Sequence, residues 1–295
     1  MNLVTILGRG IEISIFLTVL SLGIRASLSD IVYLFRRPRQ LIRALTSIYV
    51  IMPVFAILLV KNLNLNPLIK VALVALSVSP IPALFPKKVF KSRDEASISF
   101  GLLAAVSLLS IIAIPLAFVL FDAVFIRETY YSESWIIQTI LTKVLLPMAI
   151  GMALRCFAPA NLSDRFGGII AKIGEILLIV SVLPIVIFIL PEMWSLIGRG
   201  TLLALILFAL VGATAGYFLG GPDRKGRTVL ALATTSRHPG IAIALASANL
   251  GDTPKEMVAA AVILYLIVSA IVVAPFLKRL SGDQAGEKAA SGKAA

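Results

Sequence analysis

The sequence predicts an all-α polytopic membrane protein with nine transmembrane helices, and three observations lead to that fold class. The first is composition, because 59% of the 295 residues are hydrophobic and only 14% are charged, whereas soluble domains are about one quarter charged. The second is a series of apolar stretches about 20 residues long, the length that a helix needs to cross a bilayer. The third is that lysine and arginine collect in alternate connectors, as they do on the cytoplasmic side of membrane proteins.

The apolar stretches define a single transmembrane unit over residues 1–280, followed by a polar segment. The nine predicted spans have the approximate limits 3–25, 41–60, 67–91, 95–121, 134–155, 168–192, 199–220, 228–250 and 256–277. The last residues, 281–295, contain mostly small and charged residues without apolar periodicity. We therefore expect them to form a disordered cytoplasmic tail.

The basic residues predict the orientation of the chain in a plasma or inner membrane. Four arginines in the connector after the first span and at the start of the second are expected in the cytoplasm, and these are Arg36, Arg37, Arg39 and Arg43. Alternation then places the N-terminus outside and the C-terminus in the cytoplasm. Because such connectors account for the net charge of +12, nucleic acid is not an expected partner. One cysteine and one histidine form no metal cluster, and no cofactor, metal or enzymatic activity is expected.

The eighth span is interrupted near its middle by the sequence SRHPG at residues 236–240. A proline breaks a helix, and backbone freed within a membrane must face protein or a water-filled cavity. Transporters build binding sites at such interruptions, and an arginine at this depth indicates function. Arg237 and His238 are therefore substrate-binding candidates, together with the hydroxyl groups of Thr235 and Ser236. The alternatives are that Arg237 reaches an internal carboxylate or water, and that His238 or the hydroxyls only bond the freed backbone.

The third span carries a second interruption, SPIP at residues 79–82. Pro80 and Pro82 remove two backbone donors and clash with the preceding turn, so the helix must break. Because the two interrupted spans run in opposite directions, spans 2–4 and 7–9 are predicted to be inverted copies, as in many secondary transporters. Ser79, Pro80 and Pro82 are further substrate-binding candidates, with Lys87 on the cytoplasmic side. Alternatively, Lys87 only extends its ammonium group from a helix end to the membrane surface.

Several segments share their order and spacing with one known family. They are LSLGIRASLSD at 20–30, RRPRQLI at 36–42, YVIMP at 49–53, Arg93-Asp94 and GIAIALA at 240–246. Through them the chain resembles the bile acid:sodium symporter family. The resemblance implies a core domain from spans at about 41–121 and 199–277, and a panel domain from spans at about 3–25 and 134–192. It also implies that the two broken helices cross in the core.

The chain departs from this family where sodium-coupled members bind the ion. The resemblance implies that their glutamate falls on Ala233, and that their Gln-Asn pair falls on Arg237 and His238. Sodium needs several oxygen ligands, and a second cation about 4 Å away costs roughly 4 kcal/mol at an effective dielectric constant of 20. We therefore expect the usual sodium sites to be absent.

These observations predict a secondary transporter that moves a small organic anion by alternating access, without the usual sodium coupling. Arg237 would replace sodium, because guanidinium binds carboxylate at two points. Transport would be uniport, exchange or proton-coupled, with His238 as the proton-coupling candidate because imidazole titrates near neutral pH. The alternatives are a sodium-coupled organic-anion symporter with displaced ion sites, and a non-transporting membrane sensor built on the same fold.

Overall fold

The chain is helical through most of what a computed structural model describes, which is residues 3–25, 28–82, 85, 93–125, 138, 141–157, 160–249 and 254–291. The helices are α1 (Leu3–Arg25), α2 (Leu28–Ile31), α3 (Pro38–Asn62), α4 (Pro67–Val78), α5 (Arg93–Phe125), α6 (Leu146–Phe157), α7 (Ala160–Phe188), α8 (Leu190–Ser195), α9 (Thr201–Leu219), α10 (Arg224–Thr235), α11 (Pro239–Asn249) and α12 (Lys255–Ser291). No strand occurs within these ranges.

Six helices within the described ranges are long and apolar enough to cross a membrane. Their candidate spans are Ile6–Arg25, Pro38–Asn62, Ser97–Leu116, Arg165–Phe188, Thr201–Leu219 and Glu256–Pro275. Two shorter helices, α4 and α6, are also apolar. These features support an integral, multi-pass membrane protein, while the number of nine spans, the terminal orientation and the core and panel domains stay predictions.

Both predicted interruptions are present in the helices. α4 ends at Val78, well before residue 91, and Ser79 continues with extended backbone. In the eighth span, α10 ends at Thr235 and α11 begins at Pro239, with Ser236 also extended. Proline accounts for the position of both breaks, because it cannot donate the backbone hydrogen bond that a helix interior requires.

The C-terminal segment differs from the sequence-based expectation. The sequence predicts disorder over residues 281–295, whereas α12 continues without a break to Ser291. Alanine, glutamate, glutamine and lysine in this segment are good helix formers. A helix that already exists in the span also needs no new nucleus to continue, so extension costs little.

The apolar core positions the interruptions. The largest buried cluster joins α3, α4, α8, α9, α11 and α12, with members such as Met52, Leu76 and Phe208. A second cluster joins the start of α3 to α5 and α10, and it includes Ile48 and Ala233. α10 packs in the second cluster, whereas α11 contributes Ala242 to the first and its other buried apolar residues to a third. The break between α10 and α11 therefore separates helices that pack in different parts of the core.

Candidate functional site

The first interruption leaves the end of α4 with its own hydrogen bonds. The backbone N–H of Ser79 donates to the carbonyl oxygen of Ala75 at 3.1 Å, and the Ser79 hydroxyl donates to Leu76 at 3.0 Å. The serine therefore satisfies the helix end locally, as the alternative for the hydroxyl candidates predicted. Its own carbonyl, and that of Pro80, remain available to partners from elsewhere in the fold.

His238 caps the helix that begins after the second interruption. Its Nδ1 accepts the backbone N–H of Ile241 at 3.4 Å, and its carbonyl oxygen accepts the N–H of Ala242 at 3.0 Å. The imidazole thus occupies the place that an aspartate or serine usually takes at a helix N-terminus. Since Nδ1 accepts a hydrogen bond, a neutral ring carries its proton on Nε2.

The two interruptions bond directly to each other. The backbone N–H of His238 donates to the carbonyl oxygen of Pro80 at 2.9 Å. The Nη1 of Arg237 donates to the carbonyl oxygen of Ser79 at 3.2 Å. Four sequence-predicted site residues are therefore brought together, and the backbone groups freed by one break satisfy those freed by the other.

Arg237 is the most unusual residue of the site. Its side chain is only 1% exposed, and its Nε and Nη2 atoms have no hydrogen-bond partner among the described residues. Tyr49 and Tyr265 lie close enough to act on it electrostatically, and both are neutral groups in their ordinary state. No ion pair with a carboxylate is found for Arg237 within the described part of the chain. Among the residues that the structure describes, this buried cation has no counter-charge.

Nε and Nη2 lie on the same edge of the guanidinium group. Nη1, on the other side, is already occupied by Ser79. Two adjacent free donors form the planar fork that matches the two oxygens of a carboxylate. The free edge is therefore shaped for two-point binding of a carboxylate or a similar oxyanion.

Hydroxyl groups from two other helices, those of Tyr49 on α3 and Tyr265 on α12, lie near the breaks, and a third, that of Ser107, is on α5; sequence reasoning did not single them out. The Tyr265 hydroxyl donates to the carbonyl oxygen of Thr235 at 2.7 Å. The Tyr49 hydroxyl donates to the carbonyl oxygen of Val106 at 2.9 Å. The hydroxyl of Ser107 is buried and has no partner among the described residues. Tyr265 thereby satisfies a carbonyl at the end of α10 that the break would otherwise leave free.

A π-helical turn at Thr46–Ile51 brings α3 against α10. Within it, the hydroxyl of Ser47 lies 2.8 Å from that of Thr234. Such turns are rare in proteins, but those that occur are often found at functional sites. The signal in the sequence is Pro53, since a proline in a helix cannot donate to the preceding turn and the hydrogen-bond ladder adjusts around it.

The remaining candidates have other positions. The Thr235 hydroxyl bonds the carbonyl oxygens of Ala231 and Leu232 in its own helix. Ser236 and Pro82 are half-buried beside the breaks. Lys87 lies outside the described residues.

Comparison with known proteins agrees with the architecture. The sequence model of the Sodium Bile acid symporter family matches residues 12–199, which is well over half of the 295 residues. The match includes the first interruption and ends before Arg237. No curated protein matches the chain. The members of the matched family are membrane transporters rather than enzymes. The chain therefore belongs to the sodium bile acid symporter family.

Proposed function

We propose that the protein is a secondary transporter that moves a small organic anion by alternating access, with Arg237 in the role that sodium has in sodium-coupled members. One observation carries this proposal. Arg237 is buried between the two helix breaks, and one edge of its guanidinium has two donors without partners among the described residues. Membership of a transporter family supports the general activity.

Electrostatics favours an anion as the missing partner. Burying a charge without a counter-charge is expensive, and removing only one member of an ion pair has a similar cost. An anion about 4 Å from the guanidinium would gain roughly 4 kcal/mol at an effective dielectric constant of 20. The free Nε and Nη2 edge adds two charge-assisted hydrogen bonds to that attraction. A carboxylate is the simplest group that makes both.

The surroundings of Arg237 favour the absence of sodium coupling. Ala233, at the position of the family's glutamate, is fully buried in an apolar cluster and offers a methyl group instead of oxygen ligands. A fixed guanidinium one turn further along the chain repels a cation. Permanent positive charge at this point makes a bound sodium ion unnecessary for holding an anion.

The contacts of His238 bear on the choice among uniport, exchange and proton coupling. Its Nδ1 already accepts the N–H of Ile241 at the start of α11. Protonation of that nitrogen would remove the bond and expose a backbone donor. Uniport and exchange require no such change, so we favour them over proton coupling through this histidine.

The burial of Arg237 suits an alternating-access mechanism. A side chain that is 1% exposed contacts neither aqueous side in this conformation. Substrate entry therefore requires the helices around the breaks to move apart. Separation of α3 from the α10–α11 break would open a path, because Tyr49 on α3 lies near Arg237.

Uptake of labelled carboxylates into proteoliposomes tests the proposal. The vesicles are preloaded with the same unlabelled anion, so that electroneutral exchange is also detected. Uptake is compared in the presence and in the absence of sodium. We expect uptake that ignores sodium and is lost in Arg237→Ala. Arg237→Lys should restore only part of it, because an ammonium lacks the planar fork.

The matched control is Lys61→Ala, which removes one exposed positive charge far along α3. Uptake that requires sodium would overturn the claim of lost ion sites and favour the sodium-coupled alternative. Equal loss of uptake in Lys61→Ala would show that net charge, rather than the buried guanidinium, matters. Absence of uptake for all anions in folded protein would favour the sensor alternative.

A further inference from the structure

A second cationic site lies away from the helix breaks, at the start of α3. An open basin of about 610 Å³ is lined by Arg37, Pro38, Arg39, Gln40, Arg43 and Pro222. Three of these lining residues are arginines, and none is acidic. The basin is large enough for a phosphate group with its attached glycerol. Its charge makes an anion the complementary occupant.

The fold holds these arginines in place from one side. The guanidinium of Arg37 lies over the ring of Tyr33 at 4.1 Å and also donates a hydrogen bond to the Tyr33 hydroxyl. Pro38 then begins α3 with a fixed backbone angle. Arg39 and Arg43 are four residues apart, so they project from the same face of the helix.

The turn between α9 and α10 forms the opposite wall. Gly221 has a φ of +95°, which a glycine adopts without strain. Its carbonyl oxygen accepts a hydrogen bond from Nε of Arg227 at 2.7 Å. Gly221 lies beside the guanidinium of Arg43, whose Nη1 would be 3.7 Å from a Cβ built on that glycine. Two connectors distant in sequence thus close around one basin.

The arginines of the basin are not neutralised within the described part of the chain. Neither Arg39 nor Arg43 forms an ion pair there, and both are exposed. Like charges four residues apart on a helix repel one another. An arginine pair with an open face binds phosphate oxygens through two-point contacts.

Exposed apolar residues close to the arginines in the sequence favour a lipid as the source of the anion. Phe35 lies two positions before Arg37 and Ile42 directly before Arg43, with 42% and 62% of their surfaces exposed. α3 itself is long and apolar enough to cross a membrane. Apolar side chains next to a phosphate-binding cluster suit a molecule with a charged headgroup and acyl chains. A water-soluble anion would leave these side chains without a partner.

We propose that the basin formed by Arg37, Arg39 and Arg43 binds the headgroup phosphate of an anionic phospholipid. The acyl chains lie along the exposed apolar side chains of α3. Basic residues at the membrane surface attract such lipids, with a gain in affinity of about fivefold for each residue. The site is independent of Arg237 and of the proposed transport activity.

Native mass spectrometry of the full-length protein with phosphatidylglycerol and phosphatidylcholine tests the proposal. The wild type should retain phosphatidylglycerol preferentially and gain thermal stability from it. The double variant Arg39→Gln/Arg43→Gln should bind it roughly 25-fold more weakly, since two residues each contribute about fivefold. The matched control Lys61→Gln/Lys70→Gln also removes two charges, but from the other end of α3 and from α4, and should leave binding unchanged.

Two outcomes would overturn the proposal. Equal loss of binding in both double variants would show that net charge alone attracts the lipid. Equal stabilisation by soluble glycerol 3-phosphate would show that the basin takes a free phosphate and needs no acyl chain. Should Arg39→Gln/Arg43→Gln fail to fold, the single variants and Arg43→Lys replace it, with partial binding expected for the lysine because it keeps the charge and loses the fork.

Discussion

Two regions of this molecule bring helices together by opposite means. Where α1 meets α6, both helices are continuous and touch through Gly23 and Gly151. A Cβ added to Gly151 would overlap the carbonyl oxygen of Leu20 and lie 2.8 Å from the nitrogen of Ile24. Where α4 meets α10 and α11, the helices stop and their backbones bond one another.

The difference distinguishes a contact that serves packing, between α1 and α6, from an arrangement that serves function, at the helix breaks. Small residues allow a close approach in which every backbone group stays paired within its own helix, which is the usual way that membrane helices associate. The helix breaks give up that pairing, and hydrogen bonds of Arg237, His238 and Tyr265 replace part of it. This arrangement costs more than simple packing and leaves a cation without an ionic partner among the described residues. It therefore points to a role beyond stability.

Adding a side chain at the glycine contact between α1 and α6 should have the largest effect, a loss of folded protein. In Gly151→Leu the new side chain meets the backbone of α1, which cannot move aside without separating the helices. We expect loss of monodisperse, folded protein, measured by size-exclusion chromatography and thermal unfolding. Gly168→Leu is the matched control, because a Cβ at that glycine meets nothing within 4 Å. Equal behaviour of the two variants would contradict the close packing of α1 on α6.

Arg237→Met should separate transport from stability. The variant removes two expected contacts to the substrate, each worth about 1.5–3 kcal/mol for a charged hydrogen bond, so anion uptake should fall by about 100-fold or more. The unfolding temperature should stay the same or rise, since replacing a buried charge by an apolar side chain is often neutral or stabilising. A variant that unfolds as Gly151→Leu does would show instead that the guanidinium is structural.

Two substitutions of His238 distinguish its cap from a proton-carrying role. His238→Ala removes the acceptor for Ile241 and should cost about 1 kcal/mol of stability, as loss of a helix cap does. His238→Asn keeps an acceptor, so it should retain both stability and uptake. Thermal unfolding and uptake at several pH values measure both effects. A loss of pH-driven uptake in His238→Asn, with stability unchanged, would establish proton coupling.

Tyr265→Phe should have the smallest effect. It removes the hydrogen bond to Thr235 but keeps the ring, which packs edge-on against Phe208 at a centroid distance of 5.5 Å. Hydrogen bonds within membrane proteins contribute about 0.6 kcal/mol on average, so the unfolding temperature should fall only slightly. Tyr265→Leu, which also loses the ring contact, provides the comparison. A large loss of uptake in Tyr265→Phe would mean that the phenol contacts the substrate.

Local chemistry in the sequence determined much of this protein. The apolar stretches, the family and the two helix breaks all follow from composition, spacing and proline, because each depends on residues close together in the chain. The residues that this local chemistry singles out include Ser79, Pro80, Arg237 and His238. Local chemistry does not predict the helical continuation of α12 to Ser291, because this continuation depends on a helix that begins in the preceding span.

Only the tertiary structure decided which polar groups meet. Arg237 donates a hydrogen bond to Ser79, and Tyr265 donates one to Thr235. Both bonds depend on how helices distant in the sequence pack. The packing of distant helices likewise decides that His238 caps α11 and that one edge of the Arg237 guanidinium has no partner among the described residues. Periodicity and helix breakers act over a few residues, whereas these hydrogen bonds join positions whose separation in the sequence carries no record of their distance in space.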